Sequence, residues 1–462
     1  MTLPLNTVVL GDCLEVLRTL PDASVDAVVT DPPAGISFMG REWDADKGGR
    51  TAWVGWMTSV MQECLRVLKP GGHALVWSLP RTSHWTGAAI EDAGFEVRDC
   101  IHHIFGQGFP KSLNIGKALQ KMGEPSQAWE GWHTALKPAV ETWWLCRKPI
   151  EAANVTSQVL QTGTGAINVD GTRVGYAQGE VDFNRQQRQQ QSAGTIEGAF
   201  GAAALIGKEI PTYKPEGRWP SNLVLSHSPE CEKQGEAYDC ADGCPVAAMD
   251  RQSGERRSAG NNPSDALRRE GVTSFRPTQG QLYADSGGAS RFFNVFEPTY
   301  TEPFLYTGKA SKADKNDGLD DLPARAQHRI EEQTVSTQSN RRCRKCGLVK
   351  FGKPFCECAE PEWEETEGSK SGNFHPTVKS QALMRHLVRL VCPKGGIVLD
   401  PFAGSGSTLV AAVTEGMKFV GIEREPEYHA LAKARTDAVL EREGAAARQH
   451  EAFDLMADLE QE

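Results

Sequence analysis

The 462-residue chain lacks several features that would assign it to common classes of protein. No apolar run is long enough to cross a bilayer and no signal peptide is recognisable, so we expect a soluble, cytoplasmic protein with no membrane partner. Positive charge is not in excess, since 50 basic and 60 acidic residues give a net charge of −10. This balance argues against a protein that binds nucleic acid over its whole surface, but it is compatible with a local basic groove.

The glycine-rich signatures of phosphate and dinucleotide sites are also absent. The most prominent glycine-rich stretch, Asp400–Gly406, carries neither the Lys-Ser/Thr of a phosphate loop nor the GxGxxG pattern. It follows an apolar run at Ile397–Leu399 and precedes a predicted helix at Ser407–Glu415. A second apolar run, Phe419–Ile422, ends at Glu423. The order of strand, glycine-rich turn, helix, strand and acid predicts an α/β unit with a ligand-binding turn.

The two glycines and the acid of this unit suggest which ligand it binds. Gly404 and Gly406 would let the backbone approach a ligand closely, and an acid at the end of the next strand can accept hydrogen bonds from two ribose hydroxyls. A tight turn without a ligand is the alternative explanation of the glycines alone. Glu423 favours a nucleoside cofactor that has no pyrophosphate, and S-adenosylmethionine fits that description.

Strands and helices are predicted in two separated parts of the chain. Residues 1–150 and 371–440 show apolar runs that alternate with helical periodicity, which predicts a mainly parallel sheet. Residues 151–370 are rich in glycine, glutamine and other polar residues, and we expect them to form an irregular insertion. Residues 441–462 are predicted to be a charged tail. The pattern indicates one α/β domain interrupted by a long insertion.

Asp31-Pro32-Pro33 follows a predicted buried strand, Val25–Thr30, at the edge of the sheet where open α/β proteins bind ligands. Proline cannot donate to a strand ladder, so these residues form an extended tip. A carboxylate and a nearby backbone carbonyl can accept both hydrogens of an adenine or cytosine amine, which localises its lone pair for attack on a methyl sulfonium carbon. A simple turn is the alternative for the tripeptide alone. A cofactor-type turn in the same sheet favours catalysis.

Four segments together resemble the S-adenosylmethionine-dependent DNA amino-methyltransferases, which methylate adenine at N6 or cytosine at N4: Asp31–Pro33, His375–Lys379, Asp400–Gly406 and Gly421–Glu423. Their order resembles the circularly permuted beta subgroup, and phage and prophage members in particular. The resemblance implies a class I (Rossmann-like) methyltransferase with a mostly parallel seven-stranded sheet. It also implies that residues 151–370 recognise double-stranded DNA, and that a phage-encoded enzyme acts in the cytoplasm of a bacterial host.

The resemblance implies a role for each matching residue. Asp31 and the Pro32 carbonyl would accept the hydrogens of the target amine, and Pro33 would complete the tip. An acid at position 31 favours adenine N6 as the target, with cytosine N4 as the alternative. The residues implied around the cofactor are Asp12, Thr377, Lys379, Asp400, Phe402, Gly404, Gly406 and Glu423.

The resemblance also implies which of these residues contacts which part of the cofactor. Glu423 would hold the ribose hydroxyls, and Asp12 would lie near the adenine. Phe402 and the two glycines would surround the methionine portion. Thr377 and Lys379 would border the methionine carboxylate. These positions predict a cofactor site built from both ends of the chain.

One position departs from the family pattern. The residue after Asp31–Pro33 is usually an aromatic ring that stacks on the flipped-out base, whereas this chain has Ala34. Base stacking is worth about 1–3 kcal/mol, so its loss weakens base capture unless another ring replaces it. Phe38 and Trp43 are candidates for that ring. The departure also keeps open a DNA-binding protein of this fold that has lost catalysis.

The twelve cysteines are better explained as thiols or metal ligands than as disulfides, because nothing indicates secretion. Two close pairs have the spacing of a zinc ribbon: Cys343, Cys346, Cys356 and Cys358. A second, less regular set could hold zinc with one imidazole and three thiolates: His227, Cys231, Cys240 and Cys244. Free thiols are the alternative for both sets. Either metal would cross-link an insertion too polar to fold by apolar burial alone.

Overall fold

The computed structural model describes most of the chain, in separate stretches. These are residues 2–106, 112–175, 217–228, 231–234, 237–241, 243–257, 286–296, 317–319, 325–326, 341–343, 363–365, 370–371, 375 and 377–459. The chain divides into two compact units. The first comprises Met1–Arg98, Trp144–Gly165 and Tyr300–Glu462, and the second comprises Asp99–Trp143 and Ala166–Thr299.

The described residues form the following elements. The strands are β1 (Thr7–Leu10), β2 (Val25–Thr30), β3 (Leu68–Ser78), β4 (Glu96–Ile104), β5 (Val140–Arg147), β6 (Leu223–Ser226), β7 (Glu232–Gln234), β8 (Ala237–Asp239), β9 (Arg256–Arg257), β10 (Ser286–Gly287), β11 (Asn294–Phe296), β12 (Arg325–Ala326), β13 (Arg341–Cys343), β14 (Trp363–Glu365), β15 (Lys370–Ser371), β16 (Ile397–Asp400) and β17 (Lys418–Glu423). The α-helices are α1 (Cys13–Thr19), α2 (Arg50–Val67), α3 (Ser83–Asp92), α4 (Ile115–Met122), α5 (Val155–Thr162), α6 (Pro245–Ser253), α7 (Gln381–Val391), α8 (Ser407–Thr414) and α9 (Pro426–Leu459). Short 3-10 helices lie at Phe38–Gly40, Glu42–Asp44, Gln127–Trp129, Asp170–Thr172 and Ala289–Phe292.

A run of parallel strands in the first unit positions the predicted site. Their order is β1, β17, β16, β2 and β3, so the two ends of the chain pair side by side. Three of these strands end at Thr30, Asp400 and Glu423. Because parallel strands end at one edge of a sheet, the predicted catalytic and cofactor segments share that edge. The predicted α/β fold with a mostly parallel sheet is confirmed.

The helices of the first unit hold this sheet through apolar residues at helical spacing. In α2, Trp53, Met57, Val60 and Cys64 are fully buried and belong to the main apolar cluster. Helix α8 differs, because every residue from Ser407 to Val413 is buried and it contacts both α7 and α9. The glycine-rich turn therefore leads directly into a helix that is enclosed by other helices.

The second unit has parallel strands of its own. Strand β6 pairs in parallel with β4 on one side and with β11 on the other. Both β6 and β11 belong to the stretch that was expected to be an irregular insertion. Among the described residues the main sheet has nine strands, so the predicted number of seven is wrong, and β6 and β11 come from the insertion.

Two further element boundaries differ from the sequence pattern. Strand β3 begins at Leu68 and continues through Pro70-Gly71-Gly72. By its proline and glycines alone, this segment would be expected to separate the preceding helix from the strand. The backbone of Lys148 bonds to this segment, accepting from Gly71 at 3.2 Å and donating to Gly72 at 2.9 Å, so neighbouring chain overrides the local signal. Helix α9 continues to Leu459, through most of the predicted charged tail. Among the described residues, no helix has the length and apolar character needed to cross a bilayer.

Replacing Arg435 tests how strongly α9 holds the glycine-rich turn. Its side chain is fully buried and donates from Nη1 to the Ser405 carbonyl at 2.6 Å. We expect Arg435→Ala to lower the free energy of unfolding by about 3 kcal/mol, because buried acceptors then lose a charged donor. Thermal unfolding followed by circular dichroism measures the loss.

The matched control is Arg442→Ala on the same helix. Arg442 pairs with Asp317 at 3.0 Å, but the two side chains are 55% and 39% exposed. Such a pair contributes about 0.5 kcal/mol, so this variant should unfold close to the wild-type temperature. Equal losses in the two variants would contradict a special role for Arg435.

Candidate active site

A cavity in the first unit collects most of the predicted catalytic and cofactor residues. Those that line it are Asp12, Asp31, Pro33, Thr377, Lys379, Asp400, Phe402, Gly404 and Glu423. Pro32 and Gly406 are not part of the wall. An added Cβ at Gly406 would lie 3.2 Å from the backbone of Ala432, and φ is +77°, so this glycine permits close packing of α9.

The glycine-rich turn is fixed by the buried carboxylate of Asp400. Thr30 donates to Asp400 Oδ1 at 2.7 Å, and the Phe402 amide donates to the same oxygen at 3.1 Å. Burial raises the pKa of Asp400 to about 6, and the bond from Thr30 opposes that rise. Asp400 therefore orders the turn from inside and joins it to the end of β2.

Glu423 holds the other side of the turn. Its Oε2 accepts from the Gly404 amide at 2.8 Å, and its Oε1 accepts from the Glu425 amide at 2.8 Å. Burial raises the pKa of Glu423 to about 7, and the negative charge of Glu425 adds to the rise. Gly404 has φ of +52°, and an added Cβ would lie 2.9 Å from His375 Nε2. Glycine is required there for both reasons.

Asp12 caps the first helix as well as lining the cavity. Its Oδ1 accepts from the amides of Leu14 at 2.9 Å and Glu15 at 3.4 Å, at the start of α1. This N-cap explains the sequence signal of an acid just before a helix. Asp12 lies next to Glu423 in the sheet edge, because Leu10 pairs with Glu423.

The sequence did not predict the ion pair between Lys379 and Asp31. Lys379 Nζ contacts Asp31 Oδ2 and lies 4.2 Å from the centroid of the Trp77 ring. The lysine is 5% exposed, so the pair is largely removed from water. A nearby cation favours the ionised carboxylate, which is the acceptor form. The structure thus gives Lys379 a contact with Asp31, the predicted catalytic acid, in addition to its predicted place near the cofactor.

His375 is a neutral, structural member of the cavity wall. Desolvation lowers its pKa to about 3, with the charges of Lys379 and Arg435 adding to the shift. Its Nδ1 accepts from the Thr377 amide at 3.2 Å, and its ring packs edge-on against Tyr428 at 4.4 Å. Because the unprotonated nitrogen already has a donor, His375 is poorly placed to take a proton.

The loop after the catalytic tip is organised by Asp44, a residue that the sequence did not single out. Its buried carboxylate accepts from the amides of Gly35 at 3.0 Å and Phe38 at 2.8 Å. Phe38 is 8% exposed and does not line the cavity, whereas Trp43 does. Of the two rings predicted to replace an aromatic at Ala34, only Trp43 faces the candidate site among the described residues.

The predicted metal ligands fall into two groups. His227, Cys231, Cys240 and Cys244 come together in the second unit, with all four ligand atoms within 4.8 Å of one another. Of the predicted zinc ribbon, Cys343 ends strand β13, and Cys346, Cys356 and Cys358 lie outside the described residues.

Comparison with known proteins assigns the chain to a family. The family model described as DNA methylase, N6_N4_Mtase, matches residues 25–434. The chain belongs to this DNA methylase family. The match includes both the Asp31 tip and the turn at Asp400, which the fold brings to one edge of the sheet.

Individual relatives match over shorter segments. Type II methyltransferase M.BamHI of Bacillus amyloliquefaciens is 37% identical over 71 residues, 15% of this chain and 17% of that protein. YubD of Escherichia coli (strain K12) is 46% identical over 70 residues, 15% of this chain and 31% of that protein. The chain therefore covers less than a third of the length of either relative.

Solved structures resemble the chain over most of its length but at low identity. PvuII DNA methyltransferase (cytosine-N4-specific) has a TM-score of 0.40 and 13% identity, covering 94% of this chain and 92% of that chain. TTHA0409 of Thermus thermophilus, complexed with S-adenosyl-L-methionine, has a TM-score of 0.35 and 16% identity, covering 93% and 94% of the two chains.

The raised pKa of Glu423 predicts a pH-dependent affinity for S-adenosylmethionine. The ionised carboxylate is the acceptor that ribose hydroxyls need, and with a pKa of about 7 it is mostly protonated at pH 6. We expect the dissociation constant to rise about tenfold from pH 8 to pH 6, because the competent fraction falls by that factor. Calorimetric titration at several pH values measures the slope.

Glu423→Gln provides the control for other titrating groups. The amide cannot ionise, so this variant should bind more weakly and keep only the pH dependence of the cofactor and of Asp400, whose pKa of about 6 lies lower. An unchanged slope in Glu423→Gln would show that another group controls binding.

Proposed function

We propose that the chain transfers a methyl group from S-adenosylmethionine to the N6 amine of adenine in double-stranded DNA. The observation that carries this proposal is that Asp31, the Asp400–Gly404 segment and Glu423 line one cavity. A DNA methylase with its catalytic tip before its cofactor turn is a circularly permuted class I methyltransferase. In this proposal the central insertion recognises the DNA target.

The cavity fits the cofactor in both polarity and shape. Phe402 and Trp56 form an apolar wall, with ring centroids 5.8 Å apart. Glu423 offers a half-buried acceptor whose pKa is raised by desolvation, and ribose hydroxyls would add donors to its carboxylate. Lys379 would reach the methionine carboxylate, and Asp12 would lie near the adenine.

The residues of the catalytic tip would activate the target amine. The lone pair of an exocyclic amine is delocalised into the base ring, so the amine is a weak nucleophile. Asp31 and the Pro32 carbonyl would accept its two hydrogens and localise the lone pair on nitrogen. The ion pair with Lys379 would hold the Asp31 carboxylate in place for this role.

Methyl transfer then needs no covalent intermediate with the protein. When bound, S-adenosylmethionine supplies a methyl group on a positively charged sulfur, which makes the methyl carbon electrophilic. Asp31 and the Pro32 carbonyl would hold the amine so that its lone pair could form the N–C bond, with the electron pair of the methyl–sulfur bond left on sulfur. The methylated amine carries one excess proton, which leaves to solvent.

A test of the function is mass spectrometry of nucleosides from DNA incubated with the protein and labelled S-adenosylmethionine. We expect label in N6-methyladenine. Asp31→Asn should reduce the rate by roughly 10²-fold or more while the cofactor still binds, because the amide cannot replace both acceptor oxygens. Asp46→Asn, which changes an exposed acid in the nearby loop, should leave the rate unchanged.

Each other result excludes part of the proposal. Label in N4-methylcytosine would keep the mechanism and replace the target base. Equal rates for Asp31→Asn and wild type would remove Asp31 from the mechanism. Cofactor binding without label on diverse DNA would identify a member of the fold that has lost catalysis.

Trp43 is the ring proposed to stack on the flipped base in place of an aromatic at Ala34. We expect Trp43→Ala to weaken capture of the base by about 1–3 kcal/mol, or roughly 5- to 150-fold. Trp43→Phe should retain most of the affinity. Steady-state KM for DNA and the fluorescence of 2-aminopurine at the target position measure the effect.

Two controls separate stacking from other roles of Trp43. Cofactor affinity should change little in Trp43→Ala, and a parallel loss there would assign the ring to the cofactor instead. Phe38→Leu should lower thermal stability without a selective effect on DNA, because Phe38 is buried beside the Asp44 loop.

A further inference from the structure

Four side chains outside the cavity form a cluster with the chemistry of a metal site. His227 directly follows β6, Cys231 precedes β7, Cys240 directly follows β8, and Cys244 is the N-cap residue of α6. His227, Cys231 and Cys244 are buried, and Cys240 is half-buried. Ligand atoms from four separate segments therefore converge in the second unit.

The distances within the cluster match a tetrahedral zinc site. His227 Nδ1 lies 3.4 Å from Cys240 Sγ and 3.7 Å from Cys244 Sγ. Zinc bonds of about 2.3 Å to sulfur and about 2.0–2.1 Å to nitrogen place neighbouring ligand atoms roughly 3.5–3.8 Å apart. Each of the four residues offers one ligand atom, and all four atoms lie within 4.8 Å of one another. The four atoms are therefore close enough together for one ion to contact them all.

The donor set indicates which metal and which role. Three thiolates and one imidazole in a tetrahedral arrangement favour zinc over the oxygen-preferring cations. Four protein ligands leave no open position for water or substrate, so the site would be structural rather than catalytic. A disulfide could use only two of the three cysteines and would leave the third beside the imidazole.

The contacts around the cluster show what a metal would stabilise. Strands β7 and β8 are three residues each, and the side chains of β7 are exposed, so apolar burial contributes little to β7. The His227 amide donates to the Phe296 carbonyl of β11 at 3.1 Å. In α6, Asp250 accepts from the Ser290 amide at 2.7 Å and from its hydroxyl at 2.6 Å. The cluster thus joins β6, the β7–β8 hairpin, α6 and the segment before β11.

We propose that His227, Cys231, Cys240 and Cys244 bind one structural Zn²⁺ ion that orders the second unit. The metal content of the full chain, purified without chelator or histidine tag, tests this by plasma mass spectrometry. We expect Cys240→Ser to contain about one zinc equivalent less than wild type. The control Cys100→Ser, which changes another half-buried thiol of the second unit, should match wild type.

The difference in zinc content between Cys240→Ser and Cys100→Ser reports on this site alone, because the ligands of the predicted zinc ribbon are unchanged in both variants. Equal zinc in all three proteins would overturn the proposal. A wild-type chain with two fewer titratable thiols than its cysteine count would also overturn it, in favour of a disulfide.

A second measurement does not depend on how well Cys240→Ser folds. A mercurial reagent that displaces zinc from thiolates, added to wild type with a chromogenic chelator, should release the metal. Proteolytic cleavage between residues 228 and 244 should then become roughly tenfold faster or more, because binding energy for the metal is folding energy for this segment. Release without faster cleavage there would refute the ordering role.

The described residues that line the candidate cavity belong to the first unit, so S-adenosylmethionine should still bind to Cys240→Ser. Neither metal content nor cleavage requires methyl transfer, so the zinc site and the proposed function can fail separately.

Discussion

The parallel pairing of β2 with β16 is the contact on which the candidate site depends. Side-chain bonds fix it at both ends, because Asp26 accepts from the Ile397 amide at 2.8 Å and Thr30 donates to Asp400 at 2.7 Å. A slip of one residue would reverse every side chain of the strand and break both bonds. The register of two strands from opposite ends of the chain therefore sets the position of Asp31 relative to the cofactor turn.

A buried lysine contacts Asp31, the predicted catalytic acid that directly follows β2. Lys379 is 5% exposed and lies over the Trp77 ring, where an ammonium without a carboxylate partner would be costly. An ammonium has three donors, so contact with Asp31 is compatible with a second contact to the carboxylate of a bound ligand. In the proposed reaction, the Lys379 ammonium would thus contact both Asp31 and the methionine carboxylate of the cofactor.

The sequence predicted the parts of this site that depend on local pattern. Apolar runs ending in Asp31, Asp400 and Glu423 were recognisable because buried strands and glycine-rich turns leave a continuous signal. The ion pair of Lys379 with Asp31 and the role of Asp44 were missed, because both depend on contacts that spacing does not encode. The sequence suggested short strands near β6 and β11, but their pairing within a sheet was missed for the same reason, because such short strands gain stability from their neighbours.

Three of the carboxylates that line the cavity, those of Asp31, Asp400 and Glu423, have different partners. Asp31 pairs with the ammonium of Lys379, and Asp400 accepts from the Thr30 hydroxyl and the Phe402 amide. Glu423 accepts from the amides of Gly404 and Glu425 and lies near the charge of Glu425. Its pKa of about 7 is higher than the pKa of about 6 of Asp400. A carboxylate held in this way gains most from a ligand that donates hydroxyl hydrogen bonds, because they offset a desolvation cost that the protein leaves in place. A ribose at the end of β17 would therefore be stabilised by its hydrogen bonds to the Glu423 carboxylate.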